Sequence, residues 1–292
     1  MYELIQVSPH NYYIDCPAKI GVVALDDTNV CLIDSGSDKD AGRKIRQILD
    51  QHNWHLTAIF NTHSHADHIG GNRYLQAQTG CHVYAYGIEN AFTLYPVLEP
   101  SFLYGGFPVK ELRQKFLLAQ GSQAEPLTDA ALPHGMTMFP LPGHSFDMVG
   151  FKTDENTVYL ADCLSSPETL EKYGIVFLYD VGQHLETLEN IKALKSSCFI
   201  PAHAAVSGSI TDLADINIAA VYRNADTIVS LCAEPVCFDV LLQRVFDAYG
   251  LTMTHQQYVL IGSTLRSYLA YLKESQRIQM IIDSNMILWK SV

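Results

Sequence analysis

No stretch of this 292-residue chain stays apolar and uncharged for the roughly 20 residues that span a bilayer, so no membrane-embedded segment is expected. The first residues, Met1-Tyr2-Glu3-Leu4-Ile5-Gln6-Val7, lack the basic and apolar regions of a secretory signal, and the expected location is the cytoplasm. Basic residues are scarce. Nineteen Lys and Arg stand against 31 Asp and Glu, a formal charge of −12 with no basic run, which repels a long polyanion. The cysteines supply no disulfide framework either: there are seven, an odd number without CxxC pairing, in a chain too large to need such staples, and they are expected to be reduced. Repeats and low-complexity segments are absent. What is present is 48% hydrophobic content over a length exceeding one typical domain, which predicts one large domain and one small one.

The densest chemistry lies in Asn61-Thr62-His63-Ser64-His65-Ala66-Asp67-His68-Ile69-Gly70-Gly71, directly after the apolar run Thr57-Ala58-Ile59-Phe60. A strand followed by such a loop delivers side chains to the edge of a sheet. Three imidazoles and a carboxylate within six positions suit zinc and similar divalent first-row metals, whereas calcium or magnesium would call for oxygen donors alone. Three further candidates each follow a short apolar run: His144 after Phe139-Pro140-Leu141-Pro142-Gly143, Asp162 after Thr157-Val158-Tyr159-Leu160-Ala161, and His203 after Cys198-Phe199-Ile200-Pro201-Ala202.

In these residues and in their order the chain resembles the metallo-β-lactamase fold superfamily. The resemblance implies an α/β fold, a four-layer αββα sandwich over about residues 1–210, followed by a small helical domain over about 211–292. It also implies one metal held by His63, His65 and His144, a second held by Asp67, His68 and His203, and Asp162 bridging them. Zinc is the expected pair, with iron or manganese as alternatives. Asp34, in Leu32-Ile33-Asp34-Ser35-Gly36, matches a family position that supports a metal-binding histidine by fixing its tautomer and orientation; capping a turn is the competing use. Cys163, beside Asp162, is expected to be a buried small residue rather than a nucleophile. His10, His52, His55, His82, His134, His184 and His255 match no ligand position and are expected at the surface or in packing.

Elsewhere the pattern predicts elements. Residues Lys19 to Leu25 and Val30 to Asp34 flank a turn at Asp26-Asp27-Thr28-Asn29 and form a hairpin. A helix is expected from Asp38 to Gln51, a strand over Cys81 to Ala85 and a helix from Ile88 to about Tyr95. Residues 96–130 form an insertion carrying Phe102, Tyr104, Phe107 and Phe116 around Gly105-Gly106, with Tyr95 just before it; it is expected to wall or cover the pocket, or else to pack on the core or a second subunit. After Asp162, Glu168, Lys172 and Tyr173 lie close enough in sequence to reach a substrate, although surface charge on a short helix accounts for the two charged residues equally well.

Beyond about Ser209 the chain turns helical: Ala214 to Cys232, Asp239 to Tyr249, a helix opened by the capping pattern Thr254-x-x-Gln257, a break at Gly262-Ser263, and a helix from Thr264 to Ser275. A terminal hairpin, Ile278 to Ile282 with Met286 to Trp289, completes a winged-helix-like arrangement. Its presumed recognition helix offers only Arg266, Lys273 and Arg277 as cations, so packing, pocket completion or homodimer formation is expected rather than nucleic-acid binding.

The expected chemistry is hydrolysis. Two cations sharing a solvent molecule would give hydroxide near neutral pH and polarise a carbonyl, with Asp67 orienting the solvent while remaining a ligand. An aspartate at 162 with both triads resembles glyoxalase II (hydroxyacylglutathione hydrolase), and the expected substrate is a small thioester or other activated acyl compound. The C-terminal region lacks a visible match to the basic residues with which glyoxalase II holds glutathione, so glutathione itself is not expected. A phosphodiesterase or endoribonuclease of the same fold is the alternative, and a non-catalytic ligand-binding or regulatory protein a third reading.

Overall fold

The computed structural model describes residues 2–292. The chain opens with four strands, β1 (Glu3–Gln6), β2 (Asn11–Asp15), β3 (Ile20–Ala24) and β4 (Asn29–Ile33), each antiparallel to the next. The β3–β4 hairpin is the expected one, and Asp26 closes its turn by accepting from the Thr28 and Asn29 N–H groups at 2.8 Å each. The β1–β2 hairpin has only weak alternation of buried and exposed residues, which hides it in the sequence. Helix α1 (Lys39–Gln51) begins one residue later than expected, because Asp38 is its cap and accepts from the Asp40 and Ala41 N–H groups. Then come β5 (His55–Asn61), α2 (Ala66–Ile69), α3 (Asn72–Thr79), β6 (His82–Ala85) and α4 (Glu89–Leu94).

The 96–130 insertion is ordered structure. It contains α5 (Leu98–Tyr104), two short 3-10 turns and β7 (Ala124–Pro126), which pairs parallel with β6 and completes a seven-stranded sheet in the order β1 to β7. A second sheet follows, made of β8 (Met136–Pro140), β9 (Val149–Thr153), β10 (Thr157–Ser165) and, after α6 (Pro167–Tyr173) and α7 (Val181–Ile191), β11 (Cys198–His203); its order is β11-β10-β9-β8.

Alternation along the strands builds the layers. In β4, Cys31 and Ile33 face the second sheet, in a core shared with Phe60, Phe151, Tyr159 and Ile200. Val30 and Leu32 face the other way, against Ile45 and Leu49 of α1 and Leu75 of α3. On the far side, Val158 and Leu160 of β10 pack with Leu188 and Ile191 of α7. The result is the expected helix–sheet–sheet–helix sandwich. Each large apolar side chain fully buried in it contributes about 1.5–3 kcal/mol.

The C-terminal region contains α8 (Thr211–Leu231), β12 (Val236–Cys237), α9 (Phe238–Ala248), α10 (His255–Glu274), β13 (Ile278–Asp283) and β14 (Met286–Ser291), with a small sheet ordered β12-β14-β13. The expected break at Gly262-Ser263 is absent: α10 is one continuous helix. A glycine inside a helix costs only about 1 kcal/mol, and Ile261, Leu265, Tyr268, Leu269 and Leu272 bury one unbroken apolar face across it. That face joins Val221, Ala225 and Ile228 of α8 and also Ile175, Leu178 and Val181, which lie between β10 and the first turn of α7. Among the described residues no helix is long and apolar enough to cross a membrane.

Candidate metal centre

The seven residues singled out in the sequence converge at one end of the two sheets. The loop after β5 carries His63; His65 caps α2, which places Asp67 and His68 in a single turn. His144 lies in the loop after β8, Asp162 within β10 and His203 at the end of β11. Their donor atoms form two groups, each with all members within 4.8 Å of one another: His63, His65, His144 and Asp162 in one, and Asp67, His68, Asp162 and His203 in the other. Asp162 belongs to both.

A local distortion aims Asp162. Ala161 sits at a left-handed φ of 49°, and the pairing of β10 with β11 shifts register on both sides of it. Regular alternation would send Asp162 to the helix side with Val158 and Leu160. The bulge places Ala161 there instead and turns the carboxylate toward the histidines.

The imidazoles are held in defined tautomers by partners on their other nitrogens. His68 Nδ1 donates to Asp34 Oδ2 at 2.8 Å, leaving Nε2 free to ligate. The same carboxylate accepts from Thr62 Oγ1 (2.7 Å) and from the Thr62 N–H (2.8 Å). Thr62 Oγ1, its proton committed to Asp34, accepts from His63 Nδ1 at 3.0 Å. His203 Nδ1 donates to the Pro17 carbonyl at 2.9 Å. His65 is reversed, with Nδ1 facing the centre and Nε2 lying 3.6 Å from Glu99 Oε1.

The arrangement fits cations better than it fits hydrogen bonding within the protein. His65 Nδ1 lies 3.0 Å from both His63 Nε2 and His144 Nε2, so three imidazole nitrogens face one another. His68 Nε2 and Asp162 Oδ1 are 3.0 Å apart, yet both are buried and too poorly aligned to bond, as expected of two atoms directed at a common point. Burial drives His63 well below the ordinary histidine value and His144 down to about 3, so both imidazoles are neutral lone-pair donors. The other group wants positive charge: Asp162 above all raises His203 to about 10, and Asp67, despite burial acting the other way, is lowered to about 2 by His68 and His203. Cations at this end would satisfy both sets of donors.

Two glutamates escaped the sequence. Glu89, fully buried at the start of α4, accepts from Ser64 N–H (2.9 Å) and Ser64 Oγ, from Ser145 Oγ (2.7 Å) and from Asp147 N–H (3.1 Å). It therefore clamps the loop of His63 to the loop of His144. The signal was a small hydroxyl residue directly after each of those histidines. Glu99 comes from the insertion, and nothing in its spacing marks it. Gly70 and Gly71 are required by close approach: a Cβ on the first would collide with the Ser37 backbone and one on the second with the Ser35 carbonyl oxygen.

His184 is a packing histidine, buried with its backbone against Gly143. His10 and His82 are exposed and paired with Glu155 and Glu125. Cys163 is fully buried, and all seven cysteines are free. The insertion aromatics divide: Phe102 packs on Phe146 and Tyr179, Phe107 is 75% exposed beneath Arg113, and Phe116 borders a cavity together with Tyr173. Lys172 lies over the Tyr173 ring, as a surface residue does.

An α/β sandwich with one aspartate shared between two donor groups of histidine and aspartate is a scaffold suited to holding cations. The chain belongs to the metallo-beta-lactamase superfamily, whose family model matches residues 13–203. The beta-lactamase-like protein 2 homolog of Drosophila melanogaster is 24% identical over 199 residues, 63% of this chain and 61% of that protein. A hydroxyacylglutathione hydrolase of Methylococcus capsulatus is 49% identical over 39 residues, 13% of this chain and 15% of that enzyme. The chain thus spans less than two thirds of the length of these curated relatives. Among solved structures, a metallo-beta-lactamase family protein from Thermus thermophilus superposes over 100% of this chain and 98% of its own, with a TM-score of 0.73 at 15% identity. A metallo-beta-lactamase from Pontibacter korlensis covers 76% of this chain and 99% of its own, with a TM-score of 0.58 at 15% identity. The fold of the Thermus protein therefore extends over the C-terminal region as well.

Proposed function

We propose that the chain is a dinuclear metal-dependent hydrolase acting on a thioester or another activated acyl compound. The observation that carries this reading is the position of Asp162 in both donor groups, since a carboxylate shared between two histidine-rich sets suits a pair of cations. His63, His65, His144 and Asp162 on one side and Asp67, His68, His203 and Asp162 on the other would hold the metal ions, with zinc the best match to these donors, and the ions would lower the pKa of a bound water and polarise an acyl carbonyl.

The side chains divide the remaining work. Asp67 and His203 have side chains 42% and 29% exposed, whereas those of Asp162, His144 and His65 are nearly covered, so water reaches the centre from the Asp67 side. The Asp67 carboxylate, part of its donor group yet 42% exposed, can accept a hydrogen bond from the attacking water and orient it. Phe177 sets its ring against the His65 and His144 imidazoles, at 5.2 and 5.7 Å between centroids, and gives the centre an apolar wall there. In the overall reaction a water oxygen bonds to the acyl carbon, the carbon–sulfur bond breaks, and the thiol leaves with a proton. The partial matches to hydroxyacylglutathione hydrolases support the thioester class, and the net charge of −12 weighs against a polynucleotide.

The test is a panel of thioesters, lactones, phosphodiesters and RNA offered to the zinc-loaded protein. Thioester turnover well above that of the others is expected. Preferential cleavage of phosphodiesters or RNA, or no turnover of any of them, overturns the reading.

A further inference from the structure

A cavity of about 580 Å³ lies beside the candidate centre, and its walls come from three separate parts of the chain: Phe116 of the insertion, residues from Tyr173 at the end of α6 to Phe177, and the stretch from Leu251 into α10 with Leu260 and Ile261. Phe177 is common to the cavity and to the centre, because the ring that borders the cavity also packs on His65 and His144. Beneath it, Leu103, Leu112, Leu117 and Val259 form a small core that fixes the insertion to α10, with Phe177 and Leu260 packed against it. The insertion and the C-terminal region thus meet at this wall.

The lining contains no Asp, Glu, Lys, Arg or His. A second cavity of about 630 Å³ is different in kind, bordered by the charged Asp180, Arg266 and Glu274. The polar side chains on the lining of the first, Thr254, Gln256, Gln257 and Thr264, are uncharged, so an occupant finds mostly apolar surface and no countercharge for the carboxylates and ammonium of a glutathione moiety. Two of its apolar residues, Phe116 and Tyr173, remain 62% and 41% exposed at the rim, surface that an apolar ligand would cover. We propose that this cavity binds the alkyl or aryl portion of the acyl group, so that the substrates are thioesters of apolar acids. The proposal rests on the acyl-hydrolase reading above and narrows it.

Binding can be measured without turnover, because the product side of the reaction is a carboxylate. Titration calorimetry of the zinc-loaded protein with straight-chain carboxylates from acetate to decanoate should show Kd falling about threefold to fourfold for each added methylene until the cavity is filled. Phe116→Asp, an exposed rim change that the fold should tolerate, should flatten this dependence while metal content and unfolding temperature stay near those of the parent, and Leu260→Trp, which fills the cavity at some cost in stability, should flatten it with metal content retained. A Kd independent of chain length, or a slope unchanged in both variants, overturns the proposal. If the slope holds and no thioester is hydrolysed, the hydrolase reading fails and the apolar pocket stands. If thioesters are hydrolysed but binding is flat, the pocket fails and the hydrolase reading stands.

Discussion

Asp34 and His68 are joined by a 2.8 Å hydrogen bond from Nδ1 to Oδ2, and both side chains are buried. Asp34 holds a left-handed φ of 65° at the end of β4, so its carboxylate turns back to reach His68 and Thr62 together. Without it, His68 loses its orienting acceptor and Thr62 its partner. Asp34→Ala is expected to weaken metal affinity about 10- to 100-fold, read by competition with a chromophoric chelator. Parent-like affinity would show that Asp34 serves the turn alone.

Asp162 should matter more, since it stands in both donor groups. Elemental analysis of the purified protein, supplied with zinc, is expected to approach two metals per chain. Asp162→Ala should retain one or fewer and lose more than the roughly 100-fold that removing a supporting residue costs, with circular dichroism unchanged. Normal metal content and normal turnover in that variant would contradict the bridging role.

Gly71 is constrained by space. A Cβ there meets the Ser35 carbonyl oxygen, and Ser35 N–H in turn bonds to the His68 carbonyl at 2.8 Å. Gly71→Ala should cost about 1–3 kcal/mol of stability and lower metal affinity as α2 shifts. Gly106→Ala, with open space around the added methyl, is the control and should leave both unchanged. Equal behaviour of the two variants would remove the steric argument.

Far from the centre, Glu155 ties the β1–β2 turn to the second sheet. Its carboxylate accepts from Ser8 Oγ, the His10 N–H and Asn11 Nδ2, and pairs with His10 Nδ1 at 2.6 Å. Burial acts to raise its pKa, but the hydrogen bonds from Ser8, His10 and Asn11 prevail and lower it from 4.5 to about 2. The folded-state pKa lies below the unfolded one, so the stabilisation is complete above 4.5 and is lost as pH falls toward about 2. Glu155→Gln should therefore cost about 1–2 kcal/mol near neutral pH. Denaturant titrations should show the difference from the parent shrinking across that acidic window; a difference that does not vary with pH would assign the effect to packing.

The sequence alone determined the candidate ligand set and most of the elements, because those depend on local patterns. His63, His65, Asp67 and His68 crowd one loop after an apolar run, and no other feature of the chain competes with that signal. Residues Lys19 to Asp34 read as two short apolar strands around a turn, α1, α8 and α9 repeat their apolar residues at the helical period, and the turn at Asp283-Ser284-Asn285 marks the terminal hairpin. The tertiary structure decided what depends on residues distant in sequence. It kept α10 continuous through Gly262, since the apolar face buried by Ile261 and Leu265 outweighs a glycine's cost. It set Glu89 between the loops of Ser64 and Ser145, brought Glu99 toward His65 and Pro17 to His203, and joined Phe116 to Leu260 around one cavity. It also turned Asp162 inward through the bulge at Ala161, against the alternation of its own strand. Spacing along a chain records period, whereas the direction of a side chain at a strand end is fixed by what packs behind it.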